Sequence, residues 1–308
     1  MTPKTYVGID VSKDKLDAHV GGGAATTWPN TPSGIGGLLA TLPPGAHILC
    51  EATGGYEAGL LRAAWRIGTA ISLANAARVR HFAEASGELA KNDRIDARTI
   101  AHFGGTFRPS PLPPPPEGQG ALRSASRRRD RLVRQRAAAK VALGKEADAF
   151  VRADIRGEIA HLDGRIAALA ARIDGIVASS PDLAARRSRM EAVKGVGPAC
   201  SAAVLAEIPE LGALSDKQAS SLAGVAPFAR DSGKKRGARS IRGGRARLRR
   251  ALYMPALSAS RHNPVLREFY ARLVTRGKAH HVAITAVMRK LICLLNRILA
   301  DPDFKPAH

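Results

Sequence analysis

A proline-rich segment constrains the fold of this chain more than any other feature. Residues 109–120 read PSPLPPPPEGQG, and six of these twelve residues are proline. Because proline fixes φ and lacks a backbone N–H, the segment is expected to be extended rather than helical. It therefore ends a first domain at residues 1–108, and the 308-residue length leaves room for more. We predict a linker and coiled-coil oligomerisation region at 109–185 and a C-terminal domain at 186–308.

The two sides of this segment differ in charge. The formal net charge is +22, of which residues 1–110 contribute +2 and residues 111–308 contribute +20. Residues 121–140 hold eight basic residues and one acidic residue, and residues 230–250 hold ten and one. A single basic run is commonly a solvated face, whereas two such runs favour contact with nucleic acid. A membrane surface fits less well, because neither run combines its charges with a Trp or Phe face.

The basic runs supply most of the candidate nucleic-acid contacts. Those in the first run are Arg127, Arg128, Arg129, Arg131 and Arg134. Those in the second run are Lys234, Lys235, Arg236, Arg239, Arg242, Arg245 and Arg247.

Several classes of protein are excluded by the sequence. No run of 18 apolar residues is present to span a membrane, and the first residues lack the apolar region of a secretory signal. The widely spaced Cys50, Cys200 and Cys293 predict neither a disulfide framework nor a zinc ribbon, and each is typical of a small core residue. We expect a cytoplasmic protein without a membrane partner.

The first domain is predicted to be α/β with a mixed sheet. Apolar runs predict strands at 5–11, 15–20, 24–28, 47–52 and 69–74, the first two forming a hairpin. Helical spacing predicts helices at 33–42, 56–68 and 76–104, the last with a break near Gly87.

Beyond the prolines the pattern is helical. Apolar residues from Ile155 to Ile176 recur at alternating spacings of four and three, an a/d seam that lasts three heptads. This seam predicts a coiled coil or a long helical hairpin, with the basic helix at about 119–150 as a candidate antiparallel partner. It also favours oligomerisation.

A glycine-rich turn opens the C-terminal domain, which is predicted to be all-α. KGVGP separates two helices, so Lys194 and the backbone of Gly195 and Gly197 could hold a phosphate as in a helix-hairpin-helix. The same turn also serves as a plain helix connection. Further amphipathic helices are predicted at about 248–260 and 280–299.

Four carboxylates carry the chemistry expected of the first domain. Asp10 and Glu51 each close a predicted central strand, and Asp93 and Asp96 lie three apart on a predicted helix. Each alone could be a turn cap, an ion-pair partner or part of a solvated helix face. Converging, they would repel one another unless hard divalent cations neutralised them, and two such ions can assist phosphodiester displacement.

These motifs together resemble a known family. YVGIDVSKDKLD, CEATGGYE and KNDRIDAR resemble the N-terminal motifs of the DEDD transposases of the IS110 insertion-sequence family. VKGVGPACSAAVLAEI, LAGVAPFARDSGKKRGARSIRGG and RLRRALYMPAL resemble its second domain, so the resemblance runs from about residue 5 to about 295. It implies an RNase H-like (RuvC-like) α/β domain, a coiled-coil helical hairpin and an all-α C-terminal transposase domain.

The resemblance also implies roles for individual residues. Asp10, Glu51, Asp93 and Asp96 would bind Mg²⁺ or Mn²⁺, and Ser232, in the DSG of the basic loop, would be a serine nucleophile. The family usually has KTD before the third carboxylate, whereas Asn92 replaces the threonine here. The implied partners are donor and target double-stranded DNA, a guide (bridge) RNA that pairs with both, and further copies of the chain in dimers and tetramers.

Three classes of function remain open from the sequence. The first is an RNA-guided DNA recombinase of a mobile element. The second is a hydrolytic, structure-specific nuclease, with a guide-independent DNA invertase of the same family as a close relative of the first. The third is a basic binding protein without catalysis, which the four intact carboxylates disfavour.

Overall fold

The chain forms two compact units, Met1–Pro115 and Pro116–His308. The structure is a computed structural model that describes residues 5–21, 23–87, 93–229, 237 and 239–304, with side chains in the third range from residue 96 onward. Each unit has its own hydrophobic core.

A five-stranded mixed sheet forms the centre of the first unit, as the sequence predicts. Its strands are β1 (Tyr6–Val11), β2 (Lys15–Val20), β3 (Thr26–Pro29), β4 (His47–Glu51) and β5 (Ala70–Ala74). The order across the sheet is β3-β2-β1-β4-β5. β2 is antiparallel to both β1 and β3, whereas β4 runs parallel to both β1 and β5.

Alternation along the strands gives the sheet two different faces. On one face Ile9, Ile48 and their neighbours pack against α1 (Pro32–Ala40) and α2 (Ala58–Arg66). On the other face Leu49 packs against α3 (Ala76–Ala85) and α4 (Asp93–Phe107). The predicted long helical stretch is therefore two helices, and Gly87 has a φ of +79° after the first.

The start of the proline-rich segment is attached to the first unit. The backbone N–H of Leu112 donates to the carbonyl oxygen of Ile71 at 2.7 Å. The Trp65 indole donates to the Leu112 carbonyl oxygen at 2.9 Å, and the Ser72 hydroxyl donates to that of Ser110 at 2.8 Å. These bonds satisfy backbone groups that the prolines cannot pair within a helix.

A long helical hairpin opens the second unit. It consists of α5 (Gln119–Leu143) and α6 (Ala149–Ala178), with Leu132 packed between Leu162 and Ile166. Arg136 pairs with Asp163, and Arg152 donates to the Leu143 carbonyl oxygen at 3.1 Å, so the helices are antiparallel. The heptad seam thus packs on α5 within the same chain, as the hairpin prediction requires.

The rest of the second unit is mainly helical. Its helices are α7 (Pro181–Glu191), α8 (Pro198–Glu207), α9 (Asp216–Leu222), α10 (Ala246–His262), α11 (Pro264–Thr275) and α12 (His280–Ala300). Ser180 caps α7 by accepting a hydrogen bond from the Leu183 N–H, which explains why the seam ends at SSPD. No helix in the described ranges is long and apolar enough to cross a membrane.

The prediction of an all-α C-terminal domain at 186–308 is wrong in one detail. Two short strands, β6 (Pro227–Phe228) and β7 (Ser240–Ile241), form an antiparallel ribbon. Two residues per strand are too few to produce an alternating sequence pattern, so the ribbon gives no signal in the sequence.

Candidate active site

Asp10 and Glu51 lie on neighbouring parallel strands. The register pairs Ile9 with Cys50, and extending it by one residue sets Asp10 beside Glu51. Since alternate residues point to opposite faces, these two carboxylates face away from the core that holds Ile9 and Cys50. They therefore share the face that α4 covers.

Two glycines let α4 approach this face closely. A β-carbon on Gly8 would lie 2.0 Å from the Ala97 carbonyl oxygen, and one on Gly104 would lie 2.8 Å from the Tyr6 ring. Residue 104 thus lies near residue 6 and residue 97 near residue 8, so α4 runs antiparallel to β1. The first turn of α4 therefore extends toward the end of β1 that carries Asp10.

The remaining predicted carboxylates are in that first turn. Asp93 begins α4 and Asp96 lies three residues further, half-buried. The side chain of Asp93 lies outside the described residues. Among the side chains that are described, no group of three or more His, Cys, Asp or Glu is close enough together to hold a metal ion.

A further carboxylate on this face was missed from the sequence. Asp17 of β2 is directly opposite Asp10 in the antiparallel register, and it is buried. It accepts a 2.5 Å hydrogen bond from Thr27 and pairs with Lys15 at 3.0 Å. The length of the turn between β1 and β2 fixes which residues of the hairpin are paired. The sequence KLDAHV could therefore have identified Asp17 as the partner of Asp10 once that length was known.

The donor atoms on this face are carboxylate oxygens, which hard divalent cations such as Mg²⁺ prefer. The nearby Cys50 is on the other face, where burial first and then the charges of Glu57 and Glu51 raise its pKa to about 12. Its thiol is therefore protonated at neutral pH and is a poor nucleophile.

The loop after Glu51 is fixed by another acidic residue. The Glu57 carboxylate accepts hydrogen bonds from the backbone N–H groups of Thr53 and Gly55, at 3.2 and 2.9 Å, and from the Thr53 hydroxyl. Gly54 and Gly55 have φ values of +78° and +119°, which L side chains rarely adopt. The TGGYE motif thus encodes a rigid turn at the end of β4.

The predicted serine loop belongs to the second unit. Residues 229–239 connect the two strands of the ribbon. Ser232, Lys234, Lys235 and Arg236 lie outside the described residues, as does Asn92 in the first unit. Arg239 is exposed, and the Arg242 guanidinium lies 5.0 Å from the centre of the Phe228 ring on the ribbon.

Three of the predicted basic contacts have acidic partners. Buried Glu207 accepts two hydrogen bonds from Arg127, at 2.9 and 3.0 Å, and lies 3.2 Å from Arg247. Arg247 also pairs with Asp130 at 3.0 Å, and Arg245 with Glu210 at 2.5 Å. These arginines join α5, α8 and the start of α10, an arrangement that the sequence did not indicate.

The electrostatics of Glu207 follow from this arrangement. Burial alone would raise its pKa, but the hydrogen bond and charge of Arg127 and the charges of Arg247 and Arg123 outweigh it, so the pKa lies below its ordinary value. The carboxylate is therefore ionised at neutral pH.

Other predicted contacts are open to solvent. Arg128, Arg131 and Arg134 are exposed on the outer side of α5, and in the described ranges no acidic residue pairs with them. Arg129 lines a small cavity with Asp174. In the KGVGP turn Lys194 is exposed, and Gly197 is the N-cap residue of α8. Gly195 has a φ of +103° and packs against Ala259.

Comparison with known proteins identifies the family. Residues 7–146 match the model of the IS110 DEDD transposases, described as a transposase, and residues 187–271 match the model described as the transposase IS116/IS110/IS902 family. These matches cover most of the chain.

Individual relatives agree with these matches. The pilin gene-inverting proteins of Moraxella bovis and Moraxella lacunata are each 29% identical to this chain, over 94% of both chains. An uncharacterised 43.6 kDa protein of insertion element IS110 from Streptomyces coelicolor is 35% identical over 27% of this chain and 21% of its own length. The chain belongs to the IS110 family of transposases.

Proposed function

We propose that this enzyme, a DNA transposase or recombinase by family, cleaves and rejoins DNA strands in a divalent-metal-dependent reaction on the α4-covered face of the first unit. The placement of Asp10 and Glu51 on adjacent strands, with the first turn of α4 directed toward them, supports the proposal most strongly. We propose an RNase H-like (RuvC-like) fold for this unit, supported by the β3-β2-β1-β4-β5 order with its parallel β1, β4 and β5.

Asp10, Glu51, Asp93 and Asp96 are the residues proposed to hold the metal. Mg²⁺ bound there would stabilise the negative charge that develops on the scissile phosphate. The protein itself contributes the fixed strand ends and the close packing of α4 on Gly8, which restrict where the carboxylates can lie.

Ser232 is the proposed nucleophile. Its hydroxyl oxygen would attack the phosphorus, lose its proton and release the 3′ or 5′ oxygen of the neighbouring nucleotide, leaving a phosphoserine link to DNA. Rejoining reverses these steps with another strand, so no external energy source is needed. Lys234, Lys235, Arg236 and Arg239 of the same loop are proposed to balance charge on the phosphate.

A pair of serine variants tests this role. Ser232→Ala should abolish recombination of the native element with its flanking DNA and keep DNA binding, whereas Ser240→Ala, a matched change in β7, should retain recombination. Normal recombination by Ser232→Ala would exclude the nucleophile. Free DNA ends without attached protein would instead support a hydrolytic nuclease.

We further propose that a guide (bridge) RNA pairs with donor and target DNA, so that base pairing supplies the specificity while the protein reads backbone and shape. The low aromatic content of 4%, with few stacking platforms for reading bases, supports this proposal. Sequencing of RNA purified with the protein tests it, and an RNA with loops complementary to both DNA sites is expected.

A guide-independent DNA invertase is the second candidate. The observation in its favour is the match to two pilin gene-inverting proteins over nearly the whole chain. Inversion of a test segment by protein free of RNA would establish this candidate over the guided one.

Dimers and tetramers are proposed for the active complex. The heptad seam no longer supports this directly, because α5 covers it within the chain. Support now comes from apolar residues near the end of the hairpin, where Phe150 is 84% exposed and Val141 is 60% exposed. Light scattering with and without DNA measures the assembly state.

A further inference from the structure

A basic pocket on the first unit has no role in the function described so far. It has a volume of about 580 Å³, and Lys13, Arg62 and Arg66 are among its lining residues. This volume falls within the roughly 300–1,000 Å³ typical of ligand sites. The pocket lies on the side of the sheet that carries α1 and α2, opposite to α4.

The walls of this pocket are fixed by hydrogen bonds. The Asn30 side-chain amide donates to the carbonyl oxygens of Ser12 at 2.8 Å and of Tyr56 at 3.2 Å. It thereby joins the loop after β1, the loop before α1 and the TGGYE turn after β4. Glu57 holds that turn from within. The pocket is therefore preformed rather than assembled on binding.

The charge of the pocket is of one sign. Lys13, Arg62 and Arg66 are exposed, and among the described residues no acidic side chain lines the pocket or forms an ion pair with these three. Arg62 and Arg66 are one turn apart on α2, where like charges disfavour the helix. A concentration of three cations in a unit whose net charge is near +2 is suited to a phosphate-bearing ligand.

An aromatic ring completes the lining. Tyr56 is 50% exposed at the pocket, on the turn that Glu57 and Asn30 hold in place. Proteins that bind single-stranded nucleic acids combine cations, which contact the phosphates, with exposed aromatic rings, on which bases stack.

We propose that this pocket binds a segment of a single DNA strand, with phosphates on Lys13, Arg62 and Arg66 and a base stacked on Tyr56. Lys13 follows Asp10 by three residues and Tyr56 follows Glu51 by five, so at most about 17 Å of chain separates each from its carboxylate. The pocket would hold the DNA strand as it leaves the end of the sheet that carries Asp10 and Glu51. This assignment rests on the proposed function in taking DNA as the bound strand.

Photocrosslinking of the full-length protein tests the proposal directly. A 20-nucleotide DNA strand containing 5-iodouracil is irradiated with the protein in EDTA, and crosslinked peptides are mapped by mass spectrometry. We expect a crosslink at Tyr56 that persists in Tyr56→Phe and disappears in Tyr56→Ala. Crosslinks confined to the second unit would overturn the proposal. The same irradiation is repeated with an RNA strand of matching sequence, and a crosslink at Tyr56 with RNA but not with DNA would overturn the choice of DNA.

Salt dependence of binding supplies a second test without magnesium. Arg62→Gln/Arg66→Gln should lower the slope of log affinity against log salt for single-stranded DNA by about 1.4, since each lost phosphate contact contributes about 0.7. The control Arg80→Gln/Arg108→Gln removes two exposed cations elsewhere on this unit and should leave the slope unchanged. Equal slopes for the two variants would contradict the pocket.

Failure here and failure of the proposed chemistry are distinguishable. Neither assay involves strand cleavage, so a protein without recombinase activity can still give the Tyr56 crosslink. Conversely, a protein that recombines DNA but gives no crosslink at Tyr56 would contradict the proposed role of the pocket and leave the proposed carboxylate site unaffected.

Discussion

Gly8 of β1 packs directly against the backbone of Ala97 in α4, where a β-carbon would lie only 2.0 Å from the carbonyl oxygen. This close approach is available only to glycine, and it brings the helix that begins with Asp93 down onto the strand that carries Asp10. The geometry of the proposed metal site therefore depends on a residue that cannot itself bind metal.

Replacing Gly8 tests this dependence. Gly8→Ala should displace α4 and destabilise the protein by about 2 kcal/mol, in the range of overpacked cores, with loss of recombination. Gly36→Ala is the matched control, because Gly36 is an exposed glycine of α1 with open space around its β-carbon position. It should stabilise by about 0.5–1 kcal/mol. Thermal melting measures both, and an unchanged melting temperature for Gly8→Ala would contradict the packing.

Asp17 should matter for stability rather than for the reaction. Its carboxylate is engaged by Thr27 and Lys15, so Asp17→Asn should cost about 1 kcal/mol through a weakened hydrogen bond and a lost ion pair. Recombination should persist at saturating magnesium. If Asp17→Asn folds as stably as the wild type but does not recombine, Asp17 belongs with the metal ligands instead.

Glu207 should contribute to stability in a pH-dependent way. Glu207→Gln leaves Arg127 and Arg247 without their shared buried carboxylate and should cost about 3 kcal/mol at pH 7. Because the folded pKa is below the ordinary value of 4.5, the stabilisation is present above pH 4.5 and is lost as pH falls through the folded pKa. Chemical denaturation measures the free energy of unfolding of the wild type and of Glu207→Gln at pH 7 and at pH 3. The difference between the two proteins should be smaller at pH 3.

The exposed arginines of α5 should bind DNA without stabilising the fold. Arg131→Gln/Arg134→Gln should lower the salt slope of duplex binding by about 1.8 and leave the melting temperature unchanged. Arg276→Gln/Lys278→Gln removes two exposed cations elsewhere in the second unit and serves as the control. Arg127→Gln should lower the melting temperature, because this arginine binds the buried carboxylate of Glu207.

If the salt slope of Arg131→Gln/Arg134→Gln equals that of the wild type, α5 is not part of the DNA interface.

Periodicity was sufficient to predict most of the fold. The runs around Ile9, Ile48 and Ile71 form the parallel strands β1, β4 and β5, and the heptad from Ile155 to Ile176 forms the inner side of a hairpin. Both patterns reflect local burial, which a sequence records directly.

Contacts between distant segments could not be predicted in the same way. The basic run at 121–140 predicts exposed charge, yet Arg127 is held by Glu207, 80 residues away. The basic pocket beside Tyr56 likewise depends on Asn30 joining three loops, and the motifs in these loops do not indicate that they meet. Such tertiary ion pairs and loop contacts leave no period in the sequence.

Substitution of Asp10 tests the central claim most directly. Asp10→Asn keeps the size of a side chain on the α4-covered face but removes its charge. With the native element and its flanks as substrate and magnesium present, we predict that Asp10→Asn melts like the wild type yet yields neither recombinant junctions nor protein-linked DNA. Recombination by Asp10→Asn at the wild-type rate would contradict the assignment of the reaction to this face.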